Sequence, residues 1–135
     1  MIFLQTQPVW QVRALSDDEI HITNTLWRIY EGIFYDAKLH KREIEAVKKS
    51  LGKEKIWTFK GRYLDGHFKA KVESAIANGS LPQSLHVTKP GLKGPDIWMD
   101  DVAWDLTTAE QGEYHVNRDV LRDERGWSVY FVLGY

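Results

Sequence analysis

The sequence predicts an α/β (α+β) domain in which N-terminal helices lead into a core of helix, three strands, helix and strand, with a small mixed sheet. Three observations carry that reading. The chain has 135 residues, the usual size of one domain, and its 43% hydrophobic and 13% aromatic content suits a packed core. Before Pro82, apolar residues recur mostly at three- and four-residue intervals. After Pro82 the spacing shortens to strand-like alternation punctuated by Pro and Gly, and the last apolar run is rich in β-formers.

Taken in order, each element has its own local signal. Ser16-Asp17-Asp18-Glu19 starts a helix, with Ser16 as N-cap and Glu19 completing a capping box. Ile20, Trp27, Tyr30 and Phe34 follow at helical spacing, widened by Ile22, Leu26, Ile29 and Ile33, which predicts a helix from about Asp17 to Tyr35. A more polar helix fits Lys41 to Leu51, closed by Gly52. Lys55 to Lys60 alternates and suits a short strand. Leu64, Phe68, Val72 and Ile76 predict a helix from Leu64 to Ala77, ended by Asn78-Gly79 and Pro82. Strands are then expected at Leu85–Thr88, Ile97–Met99 and Val102–Thr107, the last two joined by a tight Asp100-Asp101 turn. A helix over Ala109–Val120, capped by Thr108, and a buried strand over Trp127–Leu133 complete the chain. One domain spans residues 1–135, mostly helical to about residue 60.

Composition removes several function classes. With no cysteine, neither a disulfide framework nor a thiolate metal site exists. The opening Met1–Pro8 lacks a positive n-region and its apolar run stops after Leu4, so it does not read as a secretory signal. No uninterrupted apolar stretch reaches membrane-spanning length. There is no phosphate-binding Gly-Lys-Ser/Thr loop, no dinucleotide glycine fingerprint, no His-Glu-x-x-His and no Gly-x-Ser-x-Gly. Charge is unevenly distributed. The net value is −1, but residues 37–71 hold 11 Lys/Arg against 4 Asp/Glu, a local +7, while the flanking segments are acidic. A positive block beside a separate carboxylate cluster suits a protein that grips a polyanion.

The string with most chemical content runs from Gly94 to Thr108. Asp96 opens one strand and Asp105 lies inside the next, so a turn at Asp100-Asp101 brings them together across the hairpin. Two neighbouring carboxylates repel unless a cation sits between them, and Mg²⁺ is the usual occupant of such oxygen-rich sites. Flanked by Trp104 and Leu106, Asp105 is placed where an unpaired charge would be costly. The structural alternative makes Asp96 a turn residue after Pro95 and pairs Asp105 with an arginine such as Arg118.

Pro95-Asp96, then Asp105-Leu106-Thr107 on a strand, resembles the PD-(D/E)XK nuclease superfamily over about Leu64 to Tyr135. The wording from Gly94 to Thr108 also resembles C-terminal toxin domains of bacterial contact-dependent and polymorphic toxin systems. The resemblance implies that Asp96 and Asp105 are metal ligands for Mg²⁺ or Mn²⁺, with the Leu106 carbonyl as a third oxygen and Glu73 as the further acid of the preceding helix. Gln111 would match a helix glutamine of some members. It also implies a larger secreted protein that delivers residues 61–135 as a nuclease core to the target-cell cytoplasm, and a small acidic immunity protein as partner; otherwise the protein is cytoplasmic. The chain departs from the pattern at Thr107, where the family has a lysine, and Lys93, Lys89 and His115 are the nearest replacement bases.

Among the remaining residues, Lys48, Lys49, Lys53, Lys55, Lys60 and Arg62 bracket Trp57 and Phe59. That mix suits binding of unpaired RNA through charge and stacking, or equally a strand whose rings face inward. His115 and His86 read first as packing residues, and Arg118, Arg122 and Arg125 as partners of Asp119, Asp123 and Glu124. The expectation is therefore a metal-dependent nuclease acting on nucleic acid, RNA before DNA, with catalytic residues among Asp96, Asp105, Thr107, His115 and Lys93. Two rivals stand beside it: a metal-independent RNase toxin using His115 and Thr107, and a non-catalytic binding module such as an antitoxin or inhibitor.

Overall fold

The structure is a computed structural model that describes residues 8–39, 56–89, 92, 94–107 and 126–134, excluding the side chains of residues 34–39, 56–64, 107 and 134. Its elements are strand β1 (Trp10–Gln11), helix α1 (Asp17–Leu39), helix α2 (Ile56–Ala77), and strands β2 (His86–Val87), β3 (Ile97–Met99), β4 (Val102–Thr107) and β5 (Val129–Gly134). The strands form one mixed sheet in the order β1-β5-β4-β3-β2. Strands β2, β3 and β4 are antiparallel neighbours, β1 is antiparallel to β5, and β4 and β5 are parallel. A parallel neighbour needs a crossover connection, and that connection, with the helix expected over Ala109–Val120, lies outside the described residues. So does the expected Lys41–Leu51 helix.

Helix α1 begins as the capping box requires. Ser16 N–H donates to Glu19 Oε1 (2.8 Å), and Glu19 N–H donates to Ser16 Oγ (3.2 Å). It runs to Leu39 rather than stopping near Tyr35, since Asp36-Ala37-Lys38-Leu39 contains no breaker. The larger difference lies at Lys55–Lys60, where α2 starts at Ile56 in place of the expected strand. Ile56, Phe59 and Tyr63 also fit helical spacing and join the Leu64, Phe68, Val72 series. Over so few residues, period two and period 3.6 cannot be told apart. Helix α2 closes where expected, with Gly79 in the left-handed region (φ 85°) and its N–H donating to Ile76 O.

The hairpin β3–β4 turns at Asp100-Asp101, and Asp100 has φ 51°, a conformation aspartate tolerates better than most residues. Strand β5 starts two residues later than expected, although Trp127 is still buried. Strand β1 is too short to leave a sequence signal. It is held by pairing with β5 and by Trp10 Nε1 donating to Trp127 O (3.0 Å).

Alternation in β4 and β5 divides the sheet into two faces. On one, Val102, Trp104, Leu106, Val129, Phe131 and Leu133 join Leu26, Tyr30, Phe68 and Val72 of the two helices in the main core. The Trp104 and Phe131 rings stack at 6.0 Å, and Trp104 Nε1 donates to Thr23 Oγ1 (2.9 Å), tying sheet to α1. On the other face, Ala103, Trp127, Tyr130 and Val132 form a second cluster with Trp10 and Trp98 at its margin. Arg13 fastens the entry of α1 to the hairpin turn, donating to both oxygens of Glu19 (2.8 and 2.7 Å) and both of Asp101 (3.0 and 2.7 Å).

Candidate active site

Strand pairing builds the site. Ile97 lies opposite Trp104, so the next residues outward, Asp96 and Asp105, meet at the end of β3. Asp96 N–H donates to Asp105 Oδ1 (3.2 Å), and Leu106 N–H donates to Asp96 Oδ2 (2.8 Å). Because β3 begins at Ile97, the Leu106 N–H has no strand carbonyl facing it there, and the Asp96 carboxylate takes that place. The backbone of Leu106, whose carbonyl was expected as a metal ligand, is thereby held beside the pair through its N–H. Tyr130, buried on β5, donates from its hydroxyl to Asp105 Oδ2 (3.1 Å). Asp105 itself is only 2% exposed.

Helix α2 contributes the cation. Lys69 Nζ lies 3.1 Å from Asp96 Oδ1 and 3.3 Å from Asp65 Oδ2, one helical turn back on the same face. The neighbours of Lys69 explain its aim: Phe68 and Val72 are anchored in the core, which fixes the rotation of the helix and turns residues 65 and 69 toward the end of β3.

Two carboxylates, Asp65 and Asp96, therefore contact one ammonium, and Asp105 lies behind Asp96. Burial and the nearby Asp96 raise the Asp65 carboxyl to about 6. Burial and the neighbouring Asp105 raise Asp96 to about 6, against the pull of Lys69. Burial works against the Lys69 charge, but Asp96 and Asp65 outweigh it and hold the ammonium above its ordinary range.

Of the residues expected at the site, Asp96 and Asp105 are brought together. Thr107 ends β4 opposite Gly134, its side chain outside the described residues. Glu73 is exposed on α2, and it is Asp65, two turns earlier, that pairs with Lys69 beside Asp96. The difference is rotational: at roughly 100° per residue, eight residues carry a side chain about 80° around the helix. Lys93, His115, Gln111, Arg118, Lys48, Lys49, Lys53 and Lys55 lie outside the described residues, and of Lys60 and Arg62 only the α2 backbone is described. Lys89 is exposed beyond β2. Sequence reasoning missed Asp65, Lys69 and Tyr130. The Asp65–Lys69 spacing was a visible signal, but without the packing of α2 nothing tied it to Asp96.

Among the described residues no group of three or more His, Cys, Asp or Glu side chains is arranged to hold a metal ion. A pair of adjacent carboxylates nevertheless has the oxygen donors that suit an ion such as Mg²⁺, which draws most of its ligands from water and phosphate and needs one or two carboxylates from protein. No described helix is long and apolar enough to cross a membrane. Comparison with protein-family models, curated proteins and solved structures gives no match.

Proposed function

We propose that this chain is a nuclease module that hydrolyses phosphodiester bonds of nucleic acid with the help of Mg²⁺ or Mn²⁺. The observation that carries the reading is the pair of buried Asp105 and half-buried Asp96, with Lys69 of α2 at 3.1 Å from Asp96. Asp96 and Asp105 would hold the metal, which when bound would polarise the scissile phosphate and increase the acidity of an attacking water. The resemblance to PD-(D/E)XK nucleases lacked its lysine at Thr107, and Lys69 supplies an ammonium to the same acid pair from another element. Because that ammonium is held charged by its carboxylates, Lys69 acts as a hydrogen-bond donor and positive charge toward the phosphate and not as a base. Asp65, raised to about 6, is ionised at neutral pH yet basic enough to accept a proton from water. Tyr130 and the Asp96 N–H orient Asp105.

The basic stretch 37–71, part of which forms α2 beside the acid pair, supports a polyanionic substrate. The same charge suits an acidic immunity protein covering it when the module is delivered as part of a larger toxin. The rings of Trp57 and Phe59 among lysines favour RNA over DNA as substrate; the segment from Ile56 is helix, so the alternative of a strand with inward-facing rings does not apply there. The test is cleavage of mixed tRNA and plasmid DNA with Mg²⁺, with Mn²⁺ and in EDTA. Cleavage in the presence of either ion and none in EDTA is expected. Cleavage that persists in EDTA would transfer the chemistry to His115 and Thr107, and no cleavage in any condition would leave a binding module.

A further inference from the structure

His86 on β2 and Trp98 on β3 are register partners, and their rings stack face to face with centroids 3.9 Å apart and planes 16° apart. Trp98 meets Trp127 edge-on at 6.3 Å on its other flank, at the margin of the second cluster. One ring of the stack is thus anchored and the other, His86, is exposed. Trp98 lies opposite Ala103, and Asp105 follows two residues on from Ala103 on the same face of β4, which is about 7 Å of strand. A ring surface therefore lies about one nucleotide from the carboxylate pair. Exposed Lys89 follows β2 and adds a positive charge near the stack.

We propose that His86, backed by Trp98, is a stacking platform for an unpaired nucleobase, which places the adjoining phosphodiester at the Asp96–Asp105 pair and makes single-stranded or looped nucleic acid the substrate. The inference rests on the nuclease reading for its purpose, but not for its measurement. Aromatic rings stack on any base, and removal of one such ring lowers single-strand affinity by roughly 5- to 150-fold. A base in a duplex is already stacked on both sides and gains nothing from His86.

The experiment measures binding of a labelled single strand of about ten nucleotides by fluorescence anisotropy in EDTA, where metal-dependent cleavage is silent. His86→Ala is expected to lose affinity within the range given above, and His86→Phe, which keeps a ring without the imidazole nitrogens, to stay within about twofold of the unsubstituted protein. Against an abasic strand of the same length, the three proteins are expected to bind alike. Because His86 is exposed, unchanged melting temperatures are expected for both variants. Equal affinity of His86→Ala and the unsubstituted protein overturns the platform, as does equal weakening by Phe and Ala, which would assign the effect to the imidazole nitrogens. If cleavage occurs and His86 has no effect on binding, the platform falls and the nuclease reading stands. If binding depends on the ring and no metal supports cleavage, the platform stands and the nuclease reading falls. Absence of any single-strand binding removes the platform.

Discussion

Arg13 and Lys69 both gather carboxylates from distant parts of the chain, and the outcomes differ. Arg13 meets two acids, Glu19 and Asp101, through four hydrogen bonds in the forked geometry that suits a guanidinium, and its side chain is 36% exposed. The hydrogen bonds from Arg13 hold Glu19 and Asp101 below the usual carboxylate range. Lys69 is 10% exposed and meets Asp65 and Asp96, with Asp105 behind them, so burial and mutual repulsion raise Asp65 and Asp96 instead. The first cluster is matched in charge and geometry and fastens α1 to the hairpin turn. The second gathers three carboxylates near one another, two of them in contact with Lys69, and burial and mutual repulsion keep Asp65 and Asp96 poised to gain a proton.

The greatest effect is expected on activity. Asp105→Asn preserves shape and hydrogen-bonding capacity but removes a charge from the pair, and cleavage is expected to fall by at least about two orders of magnitude while the melting temperature stays near that of the unsubstituted protein. Loss of activity together with unfolding would make Asp105 a structural residue. Next in size is Lys69→Met, which leaves buried carboxylates without their cation. In metal-free protein at neutral pH it is expected to destabilise the fold by about 3 kcal/mol, measured by urea denaturation, and less near pH 5, where the acids take up protons. Arg13→Met should cost only about 1 kcal/mol, since Arg13 and Asp101 are more than a third exposed and buried Glu19 keeps the hydrogen bond from Ser16 N–H. A larger loss at Arg13 than at Lys69 would reverse the comparison.

Titration offers a finer test. Asp65 and Asp96 titrate near 3.8 when unperturbed and at about 6 when folded, so the folded state binds protons more tightly between those values. Stability of the metal-free protein is expected to rise as pH falls through about 6 toward 4, and Asp65→Asn should flatten that rise. Glu19 and Asp101, shifted the other way, contribute stability that is present above their unfolded values and lost as pH falls through their folded ones. Below about 4 the trend should therefore reverse. A melting temperature that falls steadily from pH 7 downward would contradict the raised values.

Where the chain's own neighbours decide structure, the residues announced it. The Asp100-Asp101 turn between two apolar runs positioned the β3–β4 hairpin, and that pairing alone brought Asp96 to Asp105. The Ser16–Glu19 cap and the Asn78-Gly79 stop were equally local. The failures are of a different kind. The segment from Ile56 to Lys60 carried both periodicities in too short a window, and the helix joined to it prevailed. Lys69 and Tyr130 enter the site only through α2 packing and β4–β5 pairing, contacts that no local pattern encodes. Glu73, expected as the acid of the preceding helix, is exposed on α2, while Asp65 on the same helix faces Lys69.

The central claim is that the Asp96–Asp105 pair takes a divalent cation. Calorimetric titration of Mn²⁺ into metal-free protein at about pH 7.5, with melting temperatures recorded in parallel, addresses it without any need for substrate. Saturable binding and a raised melting temperature are expected for the unsubstituted protein, and both should disappear in Asp96→Asn and Asp105→Asn. Binding that survives in both variants, or an unsubstituted protein whose heat signal and melting curve do not respond to Mn²⁺, would contradict the account.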